Sequence, residues 1–274
     1  MDLDHALEIA FKTDTGRARA HNEDAVSVSS KLGLIVLADG MGGHNAGEVA
    51  SGMATALLAA EFERRLAEKP LASLSGDDAK SWAHVCIRSL IAETNAAIFR
   101  AAESQPQYKG MGTTLVVVLF YDNRLTVAHI GDSRLYRLRA GEFLPLTKDH
   151  SILQEWIDSG MITPEQALTA QHKNLVTRAM GIEVNVQPEI NDYDVLPDDI
   201  YLLCSDGLYD MVPDDETAMT LQTLGANLSL AAAQLIDQAN DNGGKDNVTV
   251  ALVKIKDVFA APEGPWQKFL EWLK

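Results

Sequence analysis

The sequence predicts an α+β fold, in which strands and helices occupy separate stretches of the chain. Short runs rich in β-branched residues, such as 112–121 and 248–255, are typical of strands. Two long segments, 46–68 and 79–103, carry apolar residues at helical spacing. The dipeptide Asp122-Asn123 separates two of the strand-like runs and predicts a hairpin turn.

The other elements follow in chain order. Strands are expected at 7–12, 25–29, 34–38, 112–121, 124–130, 135–138, 199–205 and 248–255, and helices at 46–68, 79–103, 214–224 and 229–240. In the first long helix we expect Val49, Met53 and Leu57 on the buried stripe, and in the second Val85 and Leu90.

Residues 145–181 differ in character from the rest of the chain. The segment is polar, mostly helical in pattern and without a strong apolar stripe, which predicts an excursion over the core that acts as a flap. Its histidines, His150 and His172, lack the spacing of a metal-ligand pair and are interpreted as surface or packing residues.

Composition excludes several classes of protein. The chain has 274 residues, 39 acidic and 23 basic, and its net charge of −16 argues against a surface for nucleic acid or an anionic membrane. The two cysteines, Cys86 and Cys204, form neither a zinc motif nor a disulfide framework, which suits a reducing compartment. We find no signal peptide and no apolar run near 18 residues, and therefore expect a cytoplasmic protein that does not cross a membrane.

The stretch from Leu34 to Ser51 has the layout of a site. An apolar run ends at Asp39-Gly40, continues through Met41-Gly42-Gly43 and passes into a helix. A carboxylate at the end of a buried strand is costly unless a cation or several donors face it. The alternative is an ordinary Asp-Gly turn, which this stretch alone does not exclude.

Further acids occur in the same kind of place, at strand edges or turns. They are Glu23, Asp39, Asp132, Asp206 and Asp246, and three of them abut a glycine. If they converge, cations must offset their repulsion, and oxygen ligands without Cys or paired His select Mg²⁺ or Mn²⁺. Two such ions about 4 Å apart can share a water and lower its pKa toward neutrality, which suits attack on a phosphoester. Arg19 offers the planar fork that matches phosphate oxygens.

Other catalytic motifs are missing from the sequence. It contains no GxxxxGK[ST] loop, no GxGxxG after a strand and no GxSxG elbow.

The motifs together resemble one family. In order they are Arg19-x-x-Asn22-Glu23-Asp24, Asp39-Gly40-Met41-Gly42-Gly43, Gly112-Thr113-Thr114, Gly131-Asp132-Ser133-Arg134, Ser205-Asp206-Gly207 and Asp246-Asn247. This series is similar to that of the metal-dependent protein phosphatases of type 2C (PPM), and the Asp-Gly-Met-Gly-Gly form resembles the bacterial branch. The resemblance runs from about residue 7 to 256.

The resemblance implies a fold and a set of metal ligands. The implied fold is a central antiparallel β-sandwich flanked by helix pairs, with the metals at one end. Asp39 would bridge two ions, Glu23 and the Gly40 carbonyl would complete one site, and Asp206 and Asp246 the other. Asp132, together with Asp206, matches the position of a third ion in bacterial relatives.

The resemblance also implies a reaction. Arg19 would bind phosphate, Asp24 would orient the attacking water, and a hydroxide bridging the ions would hydrolyse phosphoserine or phosphothreonine on a protein without a phosphoenzyme. The expected partners are phosphorylated proteins and an opposing Ser/Thr kinase. The alternatives are a catalytically silent member that binds a phosphoprotein, and a phosphatase of a small phosphorylated metabolite.

One position departs from the pattern of many eukaryotic members. They have His after the Asp-Gly, whereas this chain has Met41. His44 or a metal-bound water would then protonate the leaving group.

The sequence also predicts a division of the chain. Residues 1–258 form the catalytic domain, including the flap at 145–181. Residues 259–274 form a separate tail, in which Trp266, Phe269 and Trp272 would line one face of a short amphipathic helix. This tail would pack on its own domain or dock on a partner.

Overall fold

The computed structural model describes residues 3–43, 46–70, 74, 76–167 and 175–261. Its strands are β1 (Leu7–Asp14), β2 (Asp24–Ser29), β3 (Leu34–Met41), β4 (Gly112–Thr113), β5 (Leu115–Tyr121), β6 (Arg124–Ile130), β7 (Arg134–Arg139), β8 (Glu142–Pro145), β9 (Glu189–Asp194), β10 (Ile200–Cys204) and β11 (Val248–Ile255). Its helices are α1 (Ala46–Glu68), α2 (Gly76–Ser104), α3 (Ile152–Asp158), α4 (Pro164–Ala167), α5 (Asp206–Tyr209), α6 (Asp214–Leu224) and α7 (Leu228–Asp241).

The strands form two antiparallel sheets. One sheet has the order β1-β11-β10-β7-β8, and the other has the order β2-β3-β5-β6-β9 with β4 paired to β3. The hairpin between β5 and β6 turns at Asp122 and Asn123, whose φ values of 48° and 52° are those of the turn type that matches strand twist. The predicted hairpin is confirmed.

Alternation along the strands separates three apolar layers. On β5, Val116 and Val118 face the other sheet, while Leu115 and Val117 face α1 and α2. On β10, Leu202 packs toward α6 and α7, on the opposite side from its neighbour Leu203. The layers therefore run helix, sheet, sheet, helix, which confirms the predicted sandwich.

The expected stripes of the long helices are confirmed at Leu90, which is buried, and at Val49 and Met53, which pack partly buried against the same core, but not at two other positions. Leu57 is 37% exposed and Val85 is 69% exposed, so neither belongs to a buried stripe. Instead α1 turns small residues such as Gly47, Ala50 and Ala54 inward. Small side chains let the start of the helix lie close to the sheet, and larger ones such as Phe62 continue the buried face.

Strand predictions were wrong in two respects. The strand expected at 34–38 continues to Met41, because Gly40 and Met41 pair with β4. Strands β8 and β9 were not predicted at all. Both lie at sheet edges, and β8 has only four residues while β9 is mostly polar, so they carry little of the apolar alternation that marks a strand.

The first residues of the predicted tail pack against the rest of the chain. Phe259 is buried between the sheets beside Phe120, and the amide of Ala261 donates to Asp122 Oδ1 at 2.8 Å. Residues 262–274, which include the predicted amphipathic helix, lie outside the described residues. Among the helices of the described part, none is long and apolar enough to cross a membrane.

Candidate active site

Strand ends bring the predicted acids together. Asp24 and Asp39 are register partners across β2 and β3, while Asp132 follows β6. Asp206 follows β10, and Asp246 precedes β11, the antiparallel neighbour of β10. In an antiparallel sheet the end of one strand lies beside the start of the next, so these side chains meet at one end of the sandwich.

The acids expected as metal ligands line a cavity of about 220 Å³. Its lining residues are Arg19, Glu23, Asp39, Gly40, Met41, Gly42, Thr114, Asp132, Val176, Asp206, Asp246 and Asn247. All six residues expected as metal ligands are among them, together with Arg19. Asp24 lies next to the cavity through its pairing with Asp39, and His44 lies outside the described residues.

Gly40 is required where α1 meets β3. A Cβ built on Gly40 would lie 2.2 Å from the Gly47 carbonyl oxygen and 2.6 Å from the Glu23 carbonyl oxygen. The Gly40 amide donates to that same Glu23 oxygen at 3.0 Å. The helix, the acidic loop and the Asp-Gly turn therefore pack backbone against backbone, with no room for a side chain.

Thr114 fixes the backbone of Asp39. The Asp39 amide donates to Thr114 Oγ1 at 3.0 Å, and the Thr114 amide donates to the Asp39 carbonyl at 2.8 Å. Thr114 Oγ1 also lies 2.7 Å from Ser133 Oγ, next to Asp132. This chain of contacts sets the distance between two of the acids.

Asp24 is buried and only partly satisfied. Ser205 Oγ donates to its Oδ2 at 2.7 Å, whereas its Oδ1 is buried without a hydrogen-bond partner in the described part of the chain. A buried carboxylate oxygen without a donor is costly. Its position beside Asp39 suits a site that holds a cation and its water.

The acids raise one another's pKa. Burial, followed by the charges of Asp24 and Asp206, raises the pKa of Asp39 well above its ordinary value. Burial, then Asp132, does the same to the pKa of Asp206. Burial also raises the pKa of Asp132 to about 6. Carboxylates that are crowded in this way favour a divalent cation, and an all-oxygen donor set fits Mg²⁺ or Mn²⁺.

Arg19 stands at the edge of the cavity. Its Nη2 donates to Asp246 Oδ2 at 2.6 Å, and half of its side chain is exposed. The guanidinium therefore keeps donors available to an incoming anion.

Two supporting residues were not assigned a role from the sequence. Asn247 accepts from the Glu23 amide at 2.8 Å and donates to the carbonyls of Thr15 and His21, both at 2.9 Å, which fixes the loop that carries Arg19. Ser205 holds Asp24 and also accepts from the Thr249 amide at 3.0 Å. Both residues adjoin a predicted acid and belong to the motifs that carry the family resemblance, but those motifs gave them no role.

Arg134 is a third such residue. It donates to both carboxylate oxygens of Asp149, at 2.9 and 2.7 Å, and stacks over Tyr209 at 3.6 Å. Tyr209 in turn donates to the Asp132 carbonyl at 3.1 Å. Arg134 therefore joins the entry of the flap to α5 and to the backbone of Asp132.

The described part of the flap reaches the cavity at one point. It contains the short helices α3 and α4, and its returning segment forms isolated bridges from Ser151 to Val176 and from Thr113 to Met180. Val176 lines the cavity, so the flap lies beside the acids as expected.

Comparison with known proteins identifies the family. The family model of protein phosphatase 2C matches residues 15–240. The chain is 39% identical over 251 residues to the serine/threonine phosphatase stp of Listeria innocua, covering 90% of this chain and 96% of that protein.

Solved structures agree with the sequence match. The serine/threonine phosphatase Stp1 from Staphylococcus aureus superimposes with a TM-score of 0.83 at 38% identity, covering 94% of this chain and 98% of the other. The catalytic domain of the phosphatase PstP, solved with two manganese ions, gives a TM-score of 0.78 at 39% identity, with coverage of 92% and 99%. The predicted resemblance is confirmed, and the chain belongs to the protein phosphatase 2C family.

Proposed function

We propose that this chain hydrolyses phosphoserine and phosphothreonine on proteins and uses two or three Mn²⁺ or Mg²⁺ ions to do so. One observation carries the proposal: five acids expected to be ligands line a single cavity that Arg19 borders. The two manganese ions of the PstP structure support a divalent site in a fold of this kind.

The ligand roles proposed for these acids are those that the family resemblance implies, and the cavity brings the residues together. Asp39, Glu23, the Gly40 carbonyl, Asp206 and Asp246 would hold a pair of ions. Asp132, together with Asp206, would hold a third ion. When bound, the ions supply Lewis acidity and lower the pKa of the attacking water.

The remaining groups bind and orient the reactants. Arg19 would hold two phosphate oxygens through its fork, as its exposed position allows. Asp24, fixed by Ser205, would accept a hydrogen bond from the attacking water. For the proton that the leaving alkoxide takes up, water and His44 both remain as donors.

We also propose an opposing Ser/Thr kinase and a cytoplasmic location. Hydrolysis of a protein phosphoester has a regulatory meaning only where a kinase renews that ester. Cys86 and Cys204 are both free and buried, which is compatible with a reducing compartment.

The test compares three classes of substrate in the presence and absence of metal. We expect turnover of p-nitrophenyl phosphate and of phosphothreonine peptides with Mn²⁺ or Mg²⁺, loss of both in excess EDTA, and recovery on adding the metal back. Turnover of small phosphorylated metabolites without turnover of peptides would overturn the protein substrate. Binding of phosphopeptides without any turnover would identify a silent member, and activity that survives chelation would contradict the metal assignment.

A further inference from the structure

A second group of possible metal ligands lies outside the acidic cavity. His129 on β6, His150 just before α3 and Glu189 on β9 each offer one ligand atom, and these three atoms lie within 4.8 Å of one another. None of the three lines the acidic cavity. We propose that this group, which we call the histidine cluster, binds one Zn²⁺ ion or a similar ion such as Co²⁺.

His129 has the hydrogen bonding of a metal ligand. Its Nε2 lies 2.7 Å from the Lys148 carbonyl oxygen, so Nε2 carries the proton and Nδ1 presents a lone pair. Nδ1 has no hydrogen-bond partner within the described residues, and the side chain is fully buried. Metal-bound histidines commonly donate the other ring N–H to a backbone carbonyl, as His129 does.

His150 and Glu189 complete a nitrogen and oxygen donor set. His150 Nε2 lies 3.7 Å from Glu189 Oε2, and Glu189 is a register partner of His129 across β6 and β9. Burial, with His129 nearby, lowers the pKa of His150 to about 4, so its ring is neutral at pH 7. The side chain of Glu189 is 42% exposed, which gives an ion a path from solvent.

Binding requires a small, defined rearrangement. The two imidazole rings are stacked, with centroids 4.7 Å apart, whereas ligand atoms around a tetrahedral zinc lie about 3.3 Å apart. The rings would tilt toward the ion, and His150 would give up its 3.2 Å contact with the Gly131 amide. Arg178, whose Nη1 is 3.4 Å from His150 Nε2, is exposed and would turn into solvent.

The donor types separate this site from the acidic cavity. Two imidazoles and one carboxylate suit Zn²⁺ or Co²⁺, whereas the cavity offers oxygen atoms, which suit Mg²⁺ and Mn²⁺. An ion bound here would join β6, β9 and the entry of the flap. The carbonyl of His150 accepts from the Thr177 amide at 2.8 Å, beside Val176 in the cavity wall, so the ion would also stiffen the root of the flap.

The experiment uses Co²⁺ as the probe, with the full chain stripped of metal and then held in excess Mg²⁺. Binding is followed by calorimetry and by the visible absorption of the cobalt. We expect one equivalent of Co²⁺ with the intense bands of a tetrahedral ion, and at least tenfold weaker binding in Glu189→Gln. Glu142→Gln removes an exposed charge on β8 and should bind as the wild type does. Asp206→Asn alters the acidic cavity and should keep this equivalent.

Equal Co²⁺ binding in the wild type and in Glu189→Gln would overturn the site. Loss of the tetrahedral equivalent in Asp206→Asn would overturn it as well, since the cobalt would then be in the cavity. His129→Gln is the second variant. Zn²⁺ should raise the Tm of the wild type but not the Tm of His129→Gln. A wild type that binds no Co²⁺ with tetrahedral bands rules out the proposal without any variant.

Discussion

Strand β10 has an aspartate at each end, and the two are stabilised in opposite ways. Asp199, directly before the strand, is 1% exposed and is bound by Arg139 through both carboxylate oxygens, at 2.6 and 2.5 Å. The Tyr201 hydroxyl and the Leu196 amide also donate to it, at 3.0 and 2.9 Å. Its charge is offset within the protein.

Asp206, after the other end, is surrounded by like charge. Burial raises its pKa well above the ordinary value, and Asp132 and Asp246 are the next causes. The contrast indicates that the two aspartates have different roles. Asp199, paired with an arginine, stabilises the fold, whereas Asp206 and the acids that face it need a bound cation.

The largest effect is expected at the repelling end. Asp206→Asn should lower kcat by at least about 100-fold, because even outer-shell partners of a metal are worth about 10- to 100-fold. Without metal the same change should raise Tm, since it removes one of the repelling charges. Phosphopeptide turnover and calorimetry in EDTA measure the two effects, and Asp215→Asn on the exposed surface of α6 is the control. A variant with wild-type turnover would remove Asp206 from the metal site.

At the paired end the same substitution should act on stability alone. Asp199→Asn leaves Arg139 without its counter-ion, which we expect to cost about 3 kcal/mol in the free energy of unfolding. Denaturant unfolding gives that value, and kcat per folded molecule should stay at the wild-type level. Asp198→Asn is a matched control, because Asp198 is exposed and its φ of 70° suits Asn. Lost turnover in folded Asp199→Asn would contradict the assignment of Asp199 to stability alone.

Arg19 can be compared with Arg139, since each binds an aspartate. Arg19 binds Asp246 but is half exposed, so Arg19→Ala should leave Tm nearly unchanged. Loss of a charge-assisted contact to phosphate should cost about 1.5–3 kcal/mol, or about 10- to 150-fold in kcat/KM for a phosphopeptide.

Two further variants distinguish the charge of Arg19 from the shape of its guanidinium group. Arg19→Lys keeps the charge without the fork and should recover only part of the loss. Arg17→Ala removes a charge from the same exposed loop and should have little effect. If Arg17→Ala lost as much as Arg19→Ala, general attraction rather than a specific contact would explain the effect.

Much of the acidic cavity could be predicted, because its acids carry local signals. Asp39 and Asp206 each follow an apolar strand and precede a glycine, and antiparallel pairing then leaves few places where their side chains can lie. The sandwich itself was implied by resemblance to a family, and the order of motifs carried that resemblance.

What escaped prediction depended on contacts between distant segments. The histidine cluster joins β6, the start of the flap and β9, so no spacing within one segment reveals it. The small residues at the start of the inner face of α1 were not predicted, because close approach to the sheet, as at Gly47 against Gly40, is what selects them.

The pH dependence of stabilisation by metal distinguishes proton binding from metal binding by the acids of the cavity. Burial raises the pKa of Asp24 and of Asp132 to about 6, against about 3.9 for an ordinary aspartate. Without metal the folded protein therefore binds more protons than the unfolded chain, and these two groups stabilise it below about pH 4 and lose that contribution as the pH rises through about 6. Metal ions compete with those protons. The rise in Tm on adding Mn²⁺, relative to EDTA, should therefore become larger between about pH 5 and pH 7. Asp199→Asn should show the same pH dependence of that rise. A rise that is equal at all pH values would show that the acids are already ionised without metal.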